Sequence, residues 1–442
     1  MPKKNPFERL RQYARDLYDR AAERVRRFTK QTDEVLSEEP IDFSAPSIPY
    51  YENLASRLSF VRVILYMVLF VFITVTVLCN HRFITYENLY YLAKDISAAT
   101  LTAQSRADQI SYPISSTEAD FVYYRGGMVV AGSEVVTALS GSGRQTMSVN
   151  VAYANPCARA SDKYFLTFGR GERSFAVYNS FVQVHREITE YPIYDAAVGD
   201  NGSFAVVTRS RDYTSEVILY DSDMNQLGNY HLNGYVTSLV MNREGNRLGV
   251  VSAEYNGGLW ETKVTLIRMT KGLPNASATV VGAMGLQCGF VSDDQLAVVY
   301  TDRLMIWESD ASVKNETFFE GTVPTLCAIG DNRVAILFEI QTDLSESLLQ
   351  VYDKNGRDLY DLRMDATHPI SLSGGAEELT FGNNILLIRT KNKLFRLSGN
   401  GDDLASAEIS QDTVTVLPTE DEVLVCTPAY AARLDKKDFK KD

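Results

Sequence analysis

The 442-residue sequence predicts an all-β fold, a β-propeller of eight four-stranded blades, preceded by a cytoplasmic amphipathic helix and one transmembrane helix. Three observations predict it. Residues 5–30 have a basic amphipathic pattern, residues 63–79 form an uncharged apolar run, and short β-rich units recur about every 42 residues from position 119 onward. Seven blades is the alternative if two units are misjudged.

The charge is unevenly distributed. The whole chain has a formal net charge of −12, yet residues 1–30 contain 10 Lys and Arg against 4 Asp and Glu. Residues 31–62 contain 2 against 6, and the remainder is strongly acidic. A general nucleic-acid binder is therefore excluded for the bulk of the chain. Four histidines and five scattered cysteines leave little material for histidine-based catalysis or a metal cage.

The N-terminal 36 residues are predicted to form a cytoplasmic basic helix. Apolar residues recur at three- and four-residue steps, and arginines surround them. Such a helix favours contact with anionic lipid. A self-associating helix and a helix docked on a cytoplasmic partner are the alternatives. The following residues 37–58 are acidic, contain three prolines and are predicted to be a linker. The predicted membrane-surface residues of the arm are Phe7, Leu10, Leu17, Val25 and Phe28.

Residues 59–81 are predicted to be an uncleaved single-pass transmembrane anchor. Within them, positions 63–79 read VILYMVLFVFITVTVLC without a charge, and a helix of that length covers roughly 26 Å. A buried segment of a soluble core is the alternative. Twelve Lys and Arg precede the run, whereas only Arg82 and Lys94 occur in the next twenty residues. The positive-inside rule then places the N-terminus in the cytoplasm and residues 80–442 outside the plasma membrane.

The predicted propeller covers residues 119–436. Each unit begins with a tight polar turn before a β-rich run, as at Asp200-Asn201-Gly202 before SFAVVTRS and at Glu244-Gly245-Asn246 before RLGVVSAE. The last unit lacks its outer strand. We expect the stalk, residues 82–118, to supply that strand near Ile110–Ile114 and so close the ring. Residues 437–442 form a charged tail.

The repeat resembles the WD-repeat and quinoprotein-like propeller superfamily. Ile306-Trp307-Glu308 occupies the position of the Trp-Asp pair, and Tyr220-Asp221 and Tyr352-Asp353 occupy the equivalent corner. The Gly-His element and the quinone-docking tryptophans are missing, so no quinone cofactor is implied. The whole layout resembles a family of uncharacterised Gram-positive bacterial proteins with one span and an exported propeller. That resemblance implies fold and location, and no activity.

No catalytic, cofactor-binding or metal-binding residue is predicted. His185, His231 and His368 are interpreted as surface or turn residues, and Asp221-Ser-Asp223-Met-Asn225 as a strand-corner turn because Gln226 replaces the glycine of a calcium loop. Cysteines 157, 288, 327 and 426 are expected to be buried free thiols. A disulfide between Cys288 and Cys327 is the alternative.

Two classes of function remain. The first is a non-enzymatic, membrane-tethered scaffold that binds a protein or a cell-envelope component. The second is an exported hydrolase or lyase with paired acidic residues in the central funnel.

Two extended hairpins in neighbouring units could form a binding surface, since Arg, Tyr and Trp are enriched in interface hot spots. The alternative is that they are merely long, with Trp260 packed on its own blade. The candidate residues are Arg209, Arg211, Tyr213, Tyr255 and Trp260. The partner and the oligomeric state are left open.

Overall fold

The computed structural model describes residues 48–79, 109–112, 118–180, 182–270, 275–320, 322–340, 347–364, 375–382, 385–399, 401, 403–419 and 422–441. The chain divides into two units, Met1–Tyr90 and Tyr91–Asp442. The predicted arm residues Phe7, Leu10, Leu17, Val25 and Phe28 lie outside the described residues, as does His368.

One α-helix, α1 (Ile48–Cys79), is described in the first unit. It begins before the predicted anchor and contains Pro49 in its first turn, where a missing backbone N–H costs nothing. Side chains from Leu58 to Phe72 are exposed, and Arg62 Nε donates to the Tyr66 hydroxyl at 3.2 Å. Across the described residues, no helix is both long enough and apolar enough to cross a membrane.

The first described strand of the second unit is β1 (Gln109–Ser111). Six of the eight β-sheets that follow consist of four consecutive antiparallel strands; a fifth short strand joins the seventh sheet, and β1 completes the eighth. The first four sheets form blades 1 to 4. Their strands are β2 (Asp120–Tyr124), β3 (Gly127–Ala131), β4 (Val135–Leu139), β5 (Gln145–Asn150), β6 (Pro156–Ala160), β7 (Phe165–Gly169), β8 (Ser174–Tyr178), β9 (Gln183–Ile188), β10 (Ile193–Val198), β11 (Phe204–Thr208), β12 (Ser215–Tyr220), β13 (Gln226–Leu232), β14 (Tyr235–Met241), β15 (Arg247–Asn256), β16 (Leu259–Arg268) and β17 (Ala276–Val281).

Blades 5 to 8 complete the ring of eight found in the described residues, which confirms the predicted number. Their strands are β18 (Gly285–Ser292), β19 (Gln295–Tyr300), β20 (Arg303–Glu308), β21 (Val313–Phe318), β22 (Thr322–Gly330), β23 (Arg333–Ile340), β24 (Ser347–Asp353), β25 (Asp358–Met364), β26 (Ala376–Gly382), β27 (Ile385–Thr390), β28 (Lys393–Ser398), β29 (Leu404–Glu408), β30 (Thr415–Pro418), β31 (Glu422–Cys426) and β32 (Tyr430–Asp435). A 3₁₀ turn (Lys436–Asp438) leads to β33 (Lys440–Lys441), which pairs with β29.

The ring closes through β1, as the sequence predicted. This strand pairs antiparallel with β32 of blade 8, with Ile110 opposite Ala431. Ile110 is buried between exposed neighbours and packs in a cluster shared by blades 8 and 1. Arg433 of the same blade forms a buried ion pair with Glu422 at 2.5 Å and also donates to the carbonyl of Gly141 in blade 1. Closure therefore has an apolar and an ionic component.

The core lies between neighbouring blades. In each of blades 1, 2, 3 and 8 the second strand is buried along its whole length. Alternate side chains of a strand face the two neighbouring blades. Trp307 is buried at the predicted WD-like corner, opposite Leu296. Tyr220 and Tyr352 occupy the equivalent corners, opposite Phe204 and Val334.

Five consecutive innermost strands share an irregularity that the sequence did not reveal. The pairing of β10, β14, β18, β22 and β26 with their second strands shifts after the first one to three residues. Such a bulge leaves a backbone group without its ladder partner. In two blades a threonine compensates, because Thr237 Oγ1 donates to the Val251 carbonyl at 3.3 Å and Thr325 Oγ1 to the Leu337 carbonyl at 3.0 Å.

Candidate binding surface

The hairpin of β15 and β16 projects from one rim of the ring. Its strands have ten residues each, whereas their counterparts in blade 3 have five and six. The innermost strand of blade 4 stops pairing with β15 at Ala253, so Glu254–Asn256 extend beyond it by about 10 Å at the usual rise per residue. Gly257 and Gly258 both have positive φ, 59° and 93°, as the tight primed turn of a hairpin requires.

Three aromatic residues are exposed on this part of blade 4. Tyr255 and Trp260 lie opposite each other across the hairpin, with ring centroids 5.2 Å apart and planes at 64°. Their exposed fractions are 63% and 40%, and that of Tyr235, opposite Ala253, is 72%. Trp260 is therefore not packed into the core of its own blade.

These aromatic side chains face blade 5. Val251 and Val264 pack in one cluster with residues of blade 5. Tyr255 follows Val251 by four residues and Trp260 precedes Val264 by four, so strand alternation puts them on the same side.

Blade 5 contributes a second exposed aromatic to the same boundary. Arg303 lies two residues before Met305, which packs in the blade 4–5 cluster, so its side chain faces blade 4. Phe318 pairs with Arg303 across the sheet, is 57% exposed, and lies under the guanidinium at 4.5 Å. We call this group the aromatic cleft. It consists of Tyr235, Tyr255, Trp260, Arg303 and Phe318.

The other predicted hairpin points elsewhere. Tyr213 is 44% exposed and stacks on His231 at 4.7 Å, and His231 pairs with Glu216 at 3.2 Å. Glu216 precedes Tyr220 by four residues, and Tyr220 packs against blade 2. Both hairpins emerge at the same rim, but strand alternation directs their aromatic groups toward different neighbouring blades. Arg209 and Arg211 are exposed on this hairpin.

The sequence prediction paired Tyr255 with Trp260 and missed the rest of the cleft. The signal for the pair was local, because the two residues flank a Gly-Gly turn. Phe318 had a weaker signal, an aromatic at the end of the polar run Val313–Phe318. Its position beside blade 4 depends on the packing of two blades and could not be read from the chain.

Acidic residues occur on the described innermost strands, but they form ion pairs with arginine side chains. Arg159 of blade 2 donates to Asp195 Oδ1 of blade 3 through Nη2 at 2.8 Å and Nε at 3.1 Å, and its Nη1 lies 3.6 Å from Asp120 Oδ2 of blade 1. Burial opposes the charge of Arg159, but the two carboxylates outweigh it and raise the pKa of the guanidinium. The group links three blades.

A second such group joins blades 7 and 8. Arg389 Nε donates to Glu378 at 2.8 Å and Nη1 to Glu377 at 2.5 Å, while Thr415 Oγ1 donates to Glu378 Oε1 at 2.6 Å. A pair of acids for hydrolysis needs one protonated and one ionised carboxyl group. Each of these carboxylates is instead paired with an arginine, and the two groups link neighbouring strands and blades.

The histidines have carboxylate partners that the sequence analysis did not foresee. His185 lies 3.2 Å from Glu187, two residues along the same strand, and Glu187 also accepts a hydrogen bond from Tyr220 at 3.0 Å. With the His231–Glu216 pair, two histidines thus take part in cross-strand or cross-blade contacts. One pair lies on the outer strand of blade 2 and the other between the third and outer strands of blade 3, and the two do not converge on a common site.

The thiols of Cys157, Cys288, Cys327 and Cys426 are free; all but Cys327 are buried as predicted, and Cys327 is half-buried. Burial raises the pKa of the Cys288 thiol to about 12 and that of Cys327 to about 11. Since the thiolate is the nucleophile, these groups are unreactive at neutral pH.

No metal centre is found in the part of the chain that the structure describes: no three His, Cys, Asp or Glu side chains are arranged to hold an ion. Asp221 Oδ1 accepts the backbone N–H groups of Asp223 and Asn225 at 2.9 and 2.8 Å, which is the local turn expected at a strand corner. A cavity of about 200 Å³ between blades 1 and 2 is lined by Tyr153, Tyr178 and Arg186, and is smaller than a usual ligand pocket.

The model of a protein family described as "Family of unknown function (DUF5711)" matches residues 103–433. The chain belongs to this family. The match covers the ring-closing strand and nearly all of the propeller, so the DUF5711 region coincides with the eight-bladed unit. No curated protein sequence matches the chain significantly.

Solved propellers resemble the chain at low sequence identity. The WD40 domain of SCAP from fission yeast is 8% identical, with a TM-score of 0.48, over 74% of this chain and 96% of that one. Apo AztD from Citrobacter koseri is 12% identical, with a TM-score of 0.46, over 66% and 85%. Hsv2 from Kluyvelomyces marxianus is 9% identical, with a TM-score of 0.42, over 66% and 92%. The predicted propeller fold is confirmed by the eight sheets of the described residues.

Proposed function

We propose that this DUF5711 protein is a non-enzymatic scaffold that is tethered to the plasma membrane and binds a protein or cell-envelope partner outside the cell. The observation that carries the binding role is the exposed aromatic hairpin, with Tyr255 and Trp260 at 63% and 40% exposure. Exposed large aromatics that share one side of a projecting hairpin are typical of contact surfaces.

The tether is supported by the character of α1. Its side chains from Leu58 to Phe72 are exposed, and among them Leu65 and Phe70 are 65% and 69% exposed. A helix that is apolar on all sides is stable only in an apolar environment. The seventeen uncharged positions 63–79 and the basic residues before them support a single span with the N-terminus inside.

The absence of an enzymatic role is supported by the chemistry of the innermost strands. In the described residues, Asp120, Asp195, Glu377 and Glu378 each lie beside Arg159 or Arg389. Each of these carboxylates is thus engaged in a contact within a blade or between two blades. The aromatic cleft, by contrast, presents side chains whose large apolar surfaces remain available.

Protease accessibility in wall-stripped intact cells tests the tether and its orientation. External protease should degrade the propeller and leave the N-terminal arm, detected by a tag at residue 1. The arm should be digested only after detergent lysis. A propeller that resists external protease but is digested after lysis would contradict the proposed location.

A further inference from the structure

Resting on the proposed function, we propose that the aromatic cleft between blades 4 and 5 binds an extended, proline-rich protein segment that carries basic residues. The proposal concerns the aromatic side chains of both blades and the carboxylates around them.

The shape of the cleft suits an extended chain with ring-shaped side chains. The Tyr255 and Trp260 rings meet at 64°, so their faces form a notch and not a flat platform. Tyr235 lies toward the centre of the ring and Phe318 at its periphery, since they belong to the innermost and outermost strands of their blades. The exposed rings therefore extend radially along the blade boundary. Grooves lined by aromatic side chains are the usual binding sites for polyproline II segments, whose preformed backbone loses little entropy on binding.

The single arginine of the cleft is already paired with two carboxylates. Arg303 donates through Nε and Nη2 to Asp302 at 3.0 and 2.8 Å, and through Nη1 to Glu316 at 2.6 Å. Its guanidinium also covers the Phe318 ring at 4.5 Å. Three of its five N–H donors and one face of the guanidinium are thus occupied, and it holds Phe318 and two carboxylates in place.

The charges near the cleft favour a basic partner. Asp302 and Glu316 are 42% and 34% exposed, so their carboxylates remain in reach of solvent beside the single guanidinium. Glu254 and Glu261, which pair across the hairpin, alternate with Tyr255 and Trp260 and therefore face blade 3, away from the cleft. Lys263 is directed toward Tyr230 of blade 3, at 5.8 Å from the ring centroid. Two carboxylates, Asp302 and Glu316, against the single guanidinium of Arg303 leave the cleft net negative, which favours lysine and arginine on the bound segment.

Fluorescence anisotropy with the full chain in detergent micelles tests this proposal. The probe is a labelled polyproline peptide flanked by arginines. Its matched controls replace the prolines by alanine or the arginines by glutamate. We expect the probe to bind, and each control peptide to bind at least about tenfold more weakly. Equal binding of the alanine peptide, or no binding of the probe, would overturn the proposal.

Two variants locate the site. The double variant Tyr255→Ala, Trp260→Ala should weaken binding of the probe at least about tenfold, as expected for hot-spot residues. Ile188→Ala, at a residue that is 66% exposed on blade 2, should leave binding unchanged. Equal effects of the two would overturn the assignment to the cleft, and circular dichroism of each variant establishes that it is folded.

A soluble glycan fragment serves as the competing class of ligand. If the fragment displaces the probe or binds alone while the peptide does not, the inference of a proline-rich partner is wrong. Photocrosslinking at the hairpin in cells would then still detect a partner and leave the proposed function intact. If neither probe binding nor a crosslinked product is detected, both the proline-rich ligand and the proposed function are contradicted.

Discussion

Tyr255 and Trp260 pack against each other across a hairpin that rises above the propeller rim, with ring centroids 5.2 Å apart, while more than a third of each side chain remains exposed. An edge-to-face pair of this kind restricts both rings before any partner binds, which lowers the entropy lost on association. The same two residues contribute little to the core. Their contribution to binding and their contribution to folding can therefore be separated experimentally.

Removing the aromatic pair should barely affect stability. The double variant Tyr255→Ser, Trp260→Ser should lower the free energy of unfolding by less than about 1.5 kcal/mol, because exposed side chains and one aromatic contact are lost. Leu266→Ala, at a buried position of the same strand β16, should cost about 2–5 kcal/mol. Denaturant titration of each variant measures the difference. A double variant as unstable as Leu266→Ala would show that the pair is structural.

Ring closure by β1 should make one short strand important for stability. Ile110→Ser should cost about 2–4 kcal/mol, since it removes a buried side chain between blades 8 and 1 and introduces a hydroxyl. Gln109→Ser alters an exposed neighbour on the same strand and should change stability by less than about 0.5 kcal/mol. Thermal unfolding compares the two. Similar values for both would mean that β1 does not hold the ring closed.

The buried ion pair beside this strand should depend on both partners. Glu422→Gln should destabilise the propeller by about 3–5 kcal/mol, because the guanidinium of Arg433 then loses its charged partner inside the protein. The double variant Glu422→Leu, Arg433→Met should recover much of that loss, because it leaves no buried charge. Additive losses in the double variant would show that packing, and not the charge pair, determines stability here.

Stability should fall at alkaline pH, partly through Cys288. Burial raises the pKa of this thiol from 9.0 to about 12, with Ser238 lowering it and Asp195 raising it. Between these two values the unfolded chain releases the proton and the folded chain keeps it. The folded state therefore loses about 1.4 kcal/mol per pH unit over this window. Cys288→Ala should show a shallower decline above pH 9 than the unchanged chain, measured by urea unfolding at stepped pH. Parallel curves would exclude the thiol as a contributor.

Features that depend on residues close together in the sequence could be predicted. Features that depend on contacts between blades could not. The polar turn before each second strand repeats locally, so the eight blades, the closing strand and the Trp307 corner could be predicted from the sequence. The Tyr255–Trp260 pair is likewise fixed by a two-residue turn. By contrast, Arg159 meets Asp120 and Asp195 from blades on either side, at 39 and 36 residues along the chain.

The cleft itself shows why the remaining features could not be predicted. Phe318 and Arg303 join Trp260 only because alternate residues of two blades face each other. Which residues face a given neighbour depends on register, and the bulges in five innermost strands shift that register without a clear sequence signal. The predicted grouping of Tyr213 with Trp260 overlooked this alternation.

Site-specific photocrosslinking in cells that naturally make the chain tests the central claim most directly. A photoreactive amino acid replaces Leu259, which is 54% exposed at the hairpin tip, and in a matched strain replaces Asp223, which is exposed at the opposite rim. Our account predicts a discrete crosslinked product from position 259 that disappears in the Tyr255→Ala, Trp260→Ala background, and no such product from position 223. Crosslinking at 259 that is absent, or that persists when both aromatics are removed, would contradict a scaffold that binds through this hairpin.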